Sequence, residues 1–433
     1  MTFMPSFAHS EALASHQLKG LQWTVHHAYH GNPFYQRRMD EARVKPEDIQ
    51  TLDDLKHLPL TTADHLVEGY PFPLLSTPED QVIRIHASSG TTGKRKVLTY
   101  TRKDVRDWAV MMARCYEMAG LTSRDRVQIA VGYGIWTAGV GFQLGCETFG
   151  AMALPVGPGN LELHCRFLED FQSTVLCSTA SMALLMAEEV RRRNLEDRIR
   201  LNKVIYGSER TSDAMRETIR RVLGAELFDI PGLTELYGPG TGLECSAHQG
   251  IHYWADYYIL EILDPDTLEP VPPGHLGEMV VTTLCKEASP LIRYRTRDLC
   301  RILPDTCPCG NILPRHDRIL GRTDDMIKFR AVNIYPGQID GILSTTTGVG
   351  SEYMIVLEHG GDGRDYMILR VERSESGSRE DDEAVAARIR GSIKADILVS
   401  VEVELVDHGS LPRSERKSRR VFDHRYPTTT PGA

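Results

Sequence analysis

The 433-residue chain has no uninterrupted apolar run approaching the roughly 18 residues that a membrane-spanning helix needs, so no membrane partner is expected. Its opening, MTFMPSFAHSEALASHQ, lacks the basic stretch and apolar core of an export signal, and the expectation is a cytoplasmic protein. A disulfide framework is also missing. Nine cysteines, an odd number, are spread over the whole length and read as thiols. Positive charge is in deficit, with 50 Lys and Arg against 59 Asp and Glu for a net charge of −9. No broad nucleic-acid surface is expected, and any anion site must be local. No internal repeat or low-complexity tract breaks the pattern. What is present, 41% hydrophobic and 25% charged residues, suffices for two or three globular domains with a large core.

Two familiar phosphate motifs are absent as well. A Walker A loop would need glycine at 88 and Ser or Thr at 95, where the chain has Ser88 and Arg95. Gly132-Tyr133-Gly134 lacks the third glycine of a dinucleotide fingerprint, because Thr137 stands there. In their place is Ser88-Ser89-Gly90-Thr91-Thr92-Gly93-Lys94, between two β-rich runs at Val82 to Ile85 and Val97 to Thr101. Glycines let a backbone approach an anion, hydroxyl and N–H groups donate to its oxygens, and an ammonium offsets its charge. This stretch is the candidate polyphosphate cradle.

Along the chain, helical spacing runs from residue 11 to 43 with an interruption at Gly31 and Pro33, and a short helix is expected over Thr51 to Leu58 before Pro59. Thr101 reads as the cap of an amphipathic helix to about Ala119. Strands at 126–131, 151–156, 174–177, 203–206 and 225–230 then alternate with helices at 136–148, 161–171, 181–194 and 211–223. That alternation predicts βαβ units and a largely parallel sheet. After Leu236 the texture turns to strands and turns. A small α+β unit closes the chain, with strands at 353–357, 367–371 and 399–406 and a helix over 382–395. The domain boundary is placed near Gly321, giving residues 1–320 and 321–433.

Two further constellations carry chemistry. DIPGLTE, Asp229 to Glu235, follows a predicted strand, where ligands collect in open α/β sheets. Glu235 is placed to hold Mg²⁺, a hard cation bound through one or two carboxylates plus substrate phosphates. Cys307-Pro308-Cys309-Gly310 places two thiols on a tight turn, and Cys245 with His252 completes a Cys₃His set for a structural zinc. His248 is the alternative fourth ligand; His252 is preferred because GIHYW reads as the start of a strand that aims one side chain inward.

The motifs follow in order: SSGTTGK, then Gly207-Ser208-Glu209, DIPGLTE, YRTRD at Tyr294 to Asp298, GRTDDMIK at Gly321 to Lys328, and Lys417 within LPRSERKSRRV. Together with NPFYQRRM, PEDIQTLDDLKHLP, VNIYPGQID and RVFDHR, they make nearly the whole chain resemble the phenylacetate–coenzyme A ligase family of adenylate-forming enzymes. The resemblance implies an α/β fold: a large N-terminal adenylation domain with a β-rich zinc subdomain at about 240–315, and a small mobile α+β domain carrying a catalytic lysine. It implies that a carboxylic acid, aryl or arylacetic, is activated with ATP and Mg²⁺ and passed to coenzyme A.

By the same resemblance, Lys417 and Glu235 are catalytic. Ser88, Ser89, Gly90, Thr91, Thr92, Gly93 and Lys94 hold the phosphates, and Asp298 and Arg322 lie at the ribose and phosphates. Gly207, Ser208, Glu209, Asp229, Ile230 and Thr234 belong to the nucleotide site; Tyr133, Trp136 and Gly232 belong to the acid site, and Asp324 to the hinge. Relatives of this short type are homodimers. Three positions depart from the family: Pro231 replaces an aromatic, and Ala331 and Arg416 replace glycines. Two other readings are kept, an adenylating relative that acts on another acid or on a phenolic deazaflavin cofactor without coenzyme A transfer, and a zinc-stabilised nucleotide-binding module without turnover.

Overall fold

Asn32 turns the chain between its first two helices. The backbone N–H of Asn32 donates to Ala28 O (3.0 Å), closing α1 (Ser10–Gly31), while its side-chain oxygen accepts from Phe34 N (2.8 Å). Pro33, which has no N–H to leave unpaired, opens α2 (Pro33–Glu41). The computed structural model describes residues 2–88, 94–209, 211, 213–329, 332–360, 365–374, 377–412 and 420–425. The short helix expected over Thr51 to Leu58 is a 3₁₀ segment, Leu52–His57, rather than an α-helix. The Asp54 carboxylate accepts from Thr51 N (2.7 Å) and Thr51 Oγ1 (2.9 Å), Asp54 N donates to Thr51 O (3.3 Å), and the chain is extended at Leu58 before Pro59, which favours tight i→i+3 bonds.

β1 (Val82–Ala87) and β2 (Val97–Thr101) pair antiparallel across the candidate cradle. Thr101 then caps α3 (Arg102–Met118): its hydroxyl accepts from Asp104 N (3.1 Å), and the Asp104 carboxylate accepts from Thr101 N (2.9 Å). The βαβ alternation follows as β3 (Arg126–Ala130), α4 (Ala138–Phe149), β4 (Met152–Pro155), α5 (Leu161–Asp170), β5 (Val175–Thr179), α6 (Ala180–Arg192), β6 (Lys203–Gly207), α7 (Asp213–Leu223) and β7 (Glu226–Ile230). The five strands form one sheet in the order β4-β3-β5-β6-β7, with parallel pairing. The chain steps from β3 to the edge at β4 and returns to β5 on the other flank, which makes β3 the switch point.

After β7 the strands shorten and run antiparallel. Gly242–Glu244, Ile251–Tyr253, Arg315–His316 and Ile302–Leu303 build one small sheet. Tyr258–Leu263, Gly277–Thr283 and Tyr294–Cys300 lie side by side in another.

The chain divides into two compact units. The first comprises Met1–Ser178, Arg198–Ser208 and Glu226–Ile319, with a core running from Leu13 through Trp108, Tyr116 and Tyr237 to Leu313. The second comprises Thr179–Asp197, Glu209–Ala225 and Leu320–Ala433. Its sheet orders Glu402–Val406, Asp365–Arg373, Val349–His359 and Val421–Asp423, and its core contains Phe329, Ile355, Leu369 and Ile389. Helix α7 packs near Val349–His359 within this unit. The last of those strands and the helix Pro336–Thr345 carry too short an apolar pattern to be read from sequence. No helix among the described residues is long and apolar enough to cross a membrane.

Helices α3 and α4 cross at glycine. A Cβ on Gly141 would come 2.6 Å from the Trp108 ring, and one on Gly145 2.3 Å from Met112 Cβ. Gly145→Ala is therefore expected to lower stability by about 1–3 kcal/mol despite alanine's better helix propensity. Gly391→Ala, in the helix Asp382–Asp396 with open space around it, should raise the stability of its own unit by about 0.5–1 kcal/mol. Urea unfolding of the two variants tests the contrast.

Candidate active site

Parallel pairing of β6 with β7 sets Gly207 opposite Ile230 at the carboxyl ends of both strands. A Cβ on Gly207 would fall 2.2 Å from Ile230 O, so only glycine allows the strands to end this close. Ser208 follows in the left-handed region (φ 71°), and Asp229 receives Glu244 as an acceptor for its N–H (3.1 Å). Beyond Ile230, Pro231 O accepts from Gly240 N (3.1 Å), and Gly232 sits so close to Gly238 and Pro239 that a side chain would clash with backbone. The chain then enters the turn Thr234, Glu235, Leu236, Tyr237.

Glu235 is 6% exposed. A carboxylate so buried needs replacements for its lost water. Lys96, two residues beyond the cradle lysine, forms an ion pair with Oε1, and Tyr294 Oη donates to the same oxygen (3.2 Å). Both of these contacts fall on Oε1. The carboxylate thus joins three separate motifs: the hydroxyl-rich cradle through Lys96, the DIPGLTE turn, and the YRTRD strand through Tyr294. Lys96 carries no signal in the sequence beyond following the cradle, and the fully buried Lys286 carries none at all.

At the cradle itself, Ser88 N donates to Lys96 O (3.0 Å), and Ser88 Oγ is buried without a hydrogen-bond partner among the described residues. Exposed Lys94 lies with Nζ 5.4 Å from the Tyr70 ring centroid. Ser89, Gly90, Thr91, Thr92 and Gly93 lie outside the described residues, as do Lys417 and the departures Ala331 and Arg416. Tyr133 is half-buried, its Oη without a partner among the described residues, and its ring is so near Gly139 that a Cβ there would lie 2.6 Å from it. Trp136 stacks under the Arg95 guanidinium (4.7 Å).

Asp298 is buried on the strand Tyr294–Cys300, its N–H donating to Thr296 Oγ1 (3.0 Å). The flanking arginines turn to Glu278, Arg295 at 2.6 Å and Arg297 at 4.0 Å. In the second unit, Glu209 accepts from Ser181 N (2.6 Å), and Arg322 and Asp324 form a two-pronged pair at 2.8 Å on each prong.

The four candidate zinc ligands converge. One donor atom each from Cys245, His252, Cys307 and Cys309 lies within 4.8 Å of all the others. Cys245 Sγ is 3.5 Å from Cys307 Sγ, and Cys309 Sγ is 3.3 Å from His252 Nε2. Thiolates about 2.3 Å from one tetrahedral ion would be about 3.7 Å apart, so the donor set fits zinc in both chemistry and spacing. His252 Nδ1 donates to Leu313 O (2.8 Å), which turns the Nε2 lone pair toward the thiols, and burial holds the ring below the usual histidine pKa in its neutral, ligating form. His248 is occupied elsewhere, beside Glu226 (3.2 Å) and Glu244 (3.6 Å), and those carboxylates, Glu244 foremost, raise its pKa.

Comparison with known proteins finds relatives along nearly the whole chain. A family model described as AMP-binding enzyme matches residues 8–285, and one described as AMP-binding enzyme C-terminal domain matches 331–425. The chain is 39% identical over 421 residues to the phenylacetate-coenzyme A ligase of Escherichia coli (strain K12), covering 96% of this chain and 95% of that protein. Among solved structures it is similar to a 2-hydroxyisobutyryl-CoA ligase in the postadenylation state with R3-HIB-AMP, at a TM-score of 0.87 and 28% identity over 98% of this chain and 91% of that one. The same ligase with 2-HIB-AMP and CoA in the thioesterification state matches at a TM-score of 0.71 and 28% identity, over 96% and 91%.

Removing Lys96 alone strands a buried charge, whereas removing both partners does not. Lys96→Met is expected to cost about 2–4 kcal/mol and the Lys96→Met/Glu235→Gln double variant less, a coupling of about 1–3 kcal/mol in a urea double-mutant cycle. Additive effects of the two changes would show that the pair contributes nothing.

Proposed function

We propose, from the premise that the chain belongs to the phenylacetate–coenzyme A ligase family of AMP-binding enzymes, that it is an ATP-dependent, AMP-forming acid–thiol ligase acting on an aryl or arylacetic acid. The single observation that carries the reading is the buried Glu235, joined to Lys96 just beyond the cradle and to Tyr294 of the YRTRD strand. A free carboxylate resists attack by a thiol. Adenylation replaces its poor leaving group with AMP, and a thiolate then displaces the AMP.

The first step adds charge at the α-phosphate, and groups placed for that charge lower the barrier. In this reading Glu235 would hold Mg²⁺, and Lys417 would supply the ammonium at the α-phosphate. The cradle from Ser88 to Lys94 holds the leaving pyrophosphate, and Asp298 and Arg322 serve the ribose and phosphates. Gly207, Ser208, Glu209, Asp229, Ile230 and Thr234 border the nucleotide, and Tyr133, Trp136 and Gly232 the acid. Aromatic walls favour a flat or apolar acid.

Residues 321–433 act as the mobile domain, with Asp324 at its hinge, so that Lys417 serves adenylation and withdraws for thioester formation. That the related 2-hydroxyisobutyryl-CoA ligase is known in both postadenylation and thioesterification states supports such alternation. A homodimer completes the reading.

Pyrophosphate release with a panel of aryl and arylacetic acids, with and without coenzyme A, tests it. Release is expected with at least one acid, and thioester only when coenzyme A is added. In Lys417→Ala, release should fall at least about 100-fold while supplied acyl-adenylate is still converted to thioester. Equal loss of both half-reactions would exclude the alternation, and an enzyme that consumes ATP with no acid of the panel would exclude the ligase.

The Cys/His set is read as a structural zinc site, since all four positions are filled by protein and a catalytic zinc keeps one open. Metal analysis should find about one zinc per chain, falling well below that in Cys307→Ser or Cys309→Ser with a loss of thermal stability. A full-length, folded protein that binds no zinc after exposure to it would overturn this assignment.

A further inference from the structure

The turn that presents Glu235 is buried, with Leu236 1% and Tyr237 0% exposed, and its backbone must be satisfied from within the protein. The N–H groups of Leu236 and Tyr237 both donate to Leu233 O (3.0 and 3.2 Å). The four consecutive carbonyls fall to two side chains from distant stretches. Lys286 Nζ donates to Glu235 O (3.1 Å) and Leu236 O (3.0 Å), while the single proton of Tyr100 Oη goes to Tyr237 O (3.0 Å) and is shared at longer range with Thr234 O (3.3 Å). Two inner carbonyls therefore belong to a lysine and two outer ones to a tyrosine.

Lys286 is an unusual occupant of that position. It is 0% exposed, and no carboxylate among the described residues lies at ion-pair distance from it. Its ammonium sits 4.6 Å from the Tyr100 ring centroid and 4.8 Å from that of Tyr237, an aromatic enclosure that compensates part of the lost hydration. Burial pushes its pKa down to about 8, with Asp104 and Glu235 pulling the other way. Burying an ammonium costs several kcal/mol, and a methionine of similar volume would fill the space without that cost. What methionine cannot supply is donors to two adjacent carbonyls.

The lysine is itself fixed. Glu287 N and Ala288 N donate to the Asp104 carboxylate (2.7 and 3.0 Å), and Lys103 Nζ donates to Cys285 O (3.0 Å). The first turn of α3, directly after Tyr100, thus anchors both donors.

We propose that Lys286 and Tyr100 are positioning residues for the Glu235 carboxylate, restraining the carbonyls of its turn so that the side chain would meet Mg²⁺ at one fixed place. The inference rests on the reading of Glu235 as the Mg²⁺-bearing group. Neither residue touches nucleotide or metal; each acts through the backbone of the turn. Losing such support displaces a ligand by tenths of an ångström to an ångström, enough to weaken a metal contact by an order of magnitude.

Calorimetric titration of ATP, in EDTA and in excess Mg²⁺, isolates the effect without knowledge of the acid. For the unaltered protein Mg²⁺ should tighten ATP binding. In Lys286→Met the affinity in EDTA should stay within about 2-fold while the Mg²⁺ enhancement falls about 5- to 10-fold, as expected for one or two lost hydrogen bonds. Glu235→Gln should lose the enhancement as fully. A merely structural lysine would weaken ATP equally with and without Mg²⁺, and that result overturns the inference. An enhancement retained in Lys286→Met but lost in Glu235→Gln overturns the positioning role and leaves the Mg²⁺ reading standing. Retention in Glu235→Gln removes the reading and the inference together. Should Lys286→Met not fold, Tyr100→Phe, which deletes one oxygen, decides by the same ratio with an expected drop of about 3-fold.

Discussion

A carboxylate taken out of water must find a cation or several donors, and it must find them at fixed distances. Glu235 imposes that condition on three stretches far apart in the sequence. Lys96 reaches it from the end of the cradle, Tyr294 from an antiparallel strand, and the turn that carries it hangs on Lys286 and Tyr100. None of these pairs is local, so each depends on the parallel sheet and the small antiparallel sheets having formed. The fold is in this sense the scaffold for one buried charge. The glycines that let strands and helices approach, Gly207 against Ile230 and Gly145 against Met112, serve the same end by removing slack from the scaffold.

The backbone of the first unit was legible because its strands and helices obey simple periods. The Thr101 cap and the interruption at Gly31 and Pro33 have a local cause, and the structure has both where the residue types require. The alternation from residue 126 to 230 is equally local. Legibility ended where elements became short. Leu52–His57 looked helical but is held tight at its start by Thr51 and Asp54 and stopped by the extended Leu58 before Pro59, and Val421–Asp423 is a strand only because Val349–His359 offers it a partner.

The site was legible in a different way. Charged and hydroxylated motifs announced themselves by chemistry, but the groups that hold them did not. Lys286 lies in TTLCKEASP, where nothing distinguishes it from a surface lysine, and Tyr100 reads as an ordinary strand aromatic. Their roles exist only once backbone carbonyls 234–237 are buried beside them, which is a property of three dimensions. His252 over His248 is the converse case: both spacings suit a metal, and the choice is made by neighbours, Leu313 O for one ring and two carboxylates for the other.

Charge balance at Glu235 also bears on how a cation would arrive. With Lys96 already paired to Oε1, the carboxylate and ammonium together present almost no net charge to a lone divalent ion. A metal approaching by itself would gain little from Oε2 and would feel the repulsion of Lys96 at close range. Polyphosphate reverses the sign, because its own negative charge outweighs one lysine and brings the remaining ligands with it. Under the proposed reading, then, Mg²⁺ belongs to the nucleotide before it belongs to the protein, and Glu235 contributes one oxygen at a set position rather than the greater part of the binding energy. A ligand with that task needs accuracy more than strength. The tethered carbonyls supply that accuracy by restraining the turn, while Lys96 and Tyr294 fix Oε1 of the carboxylate from the other side.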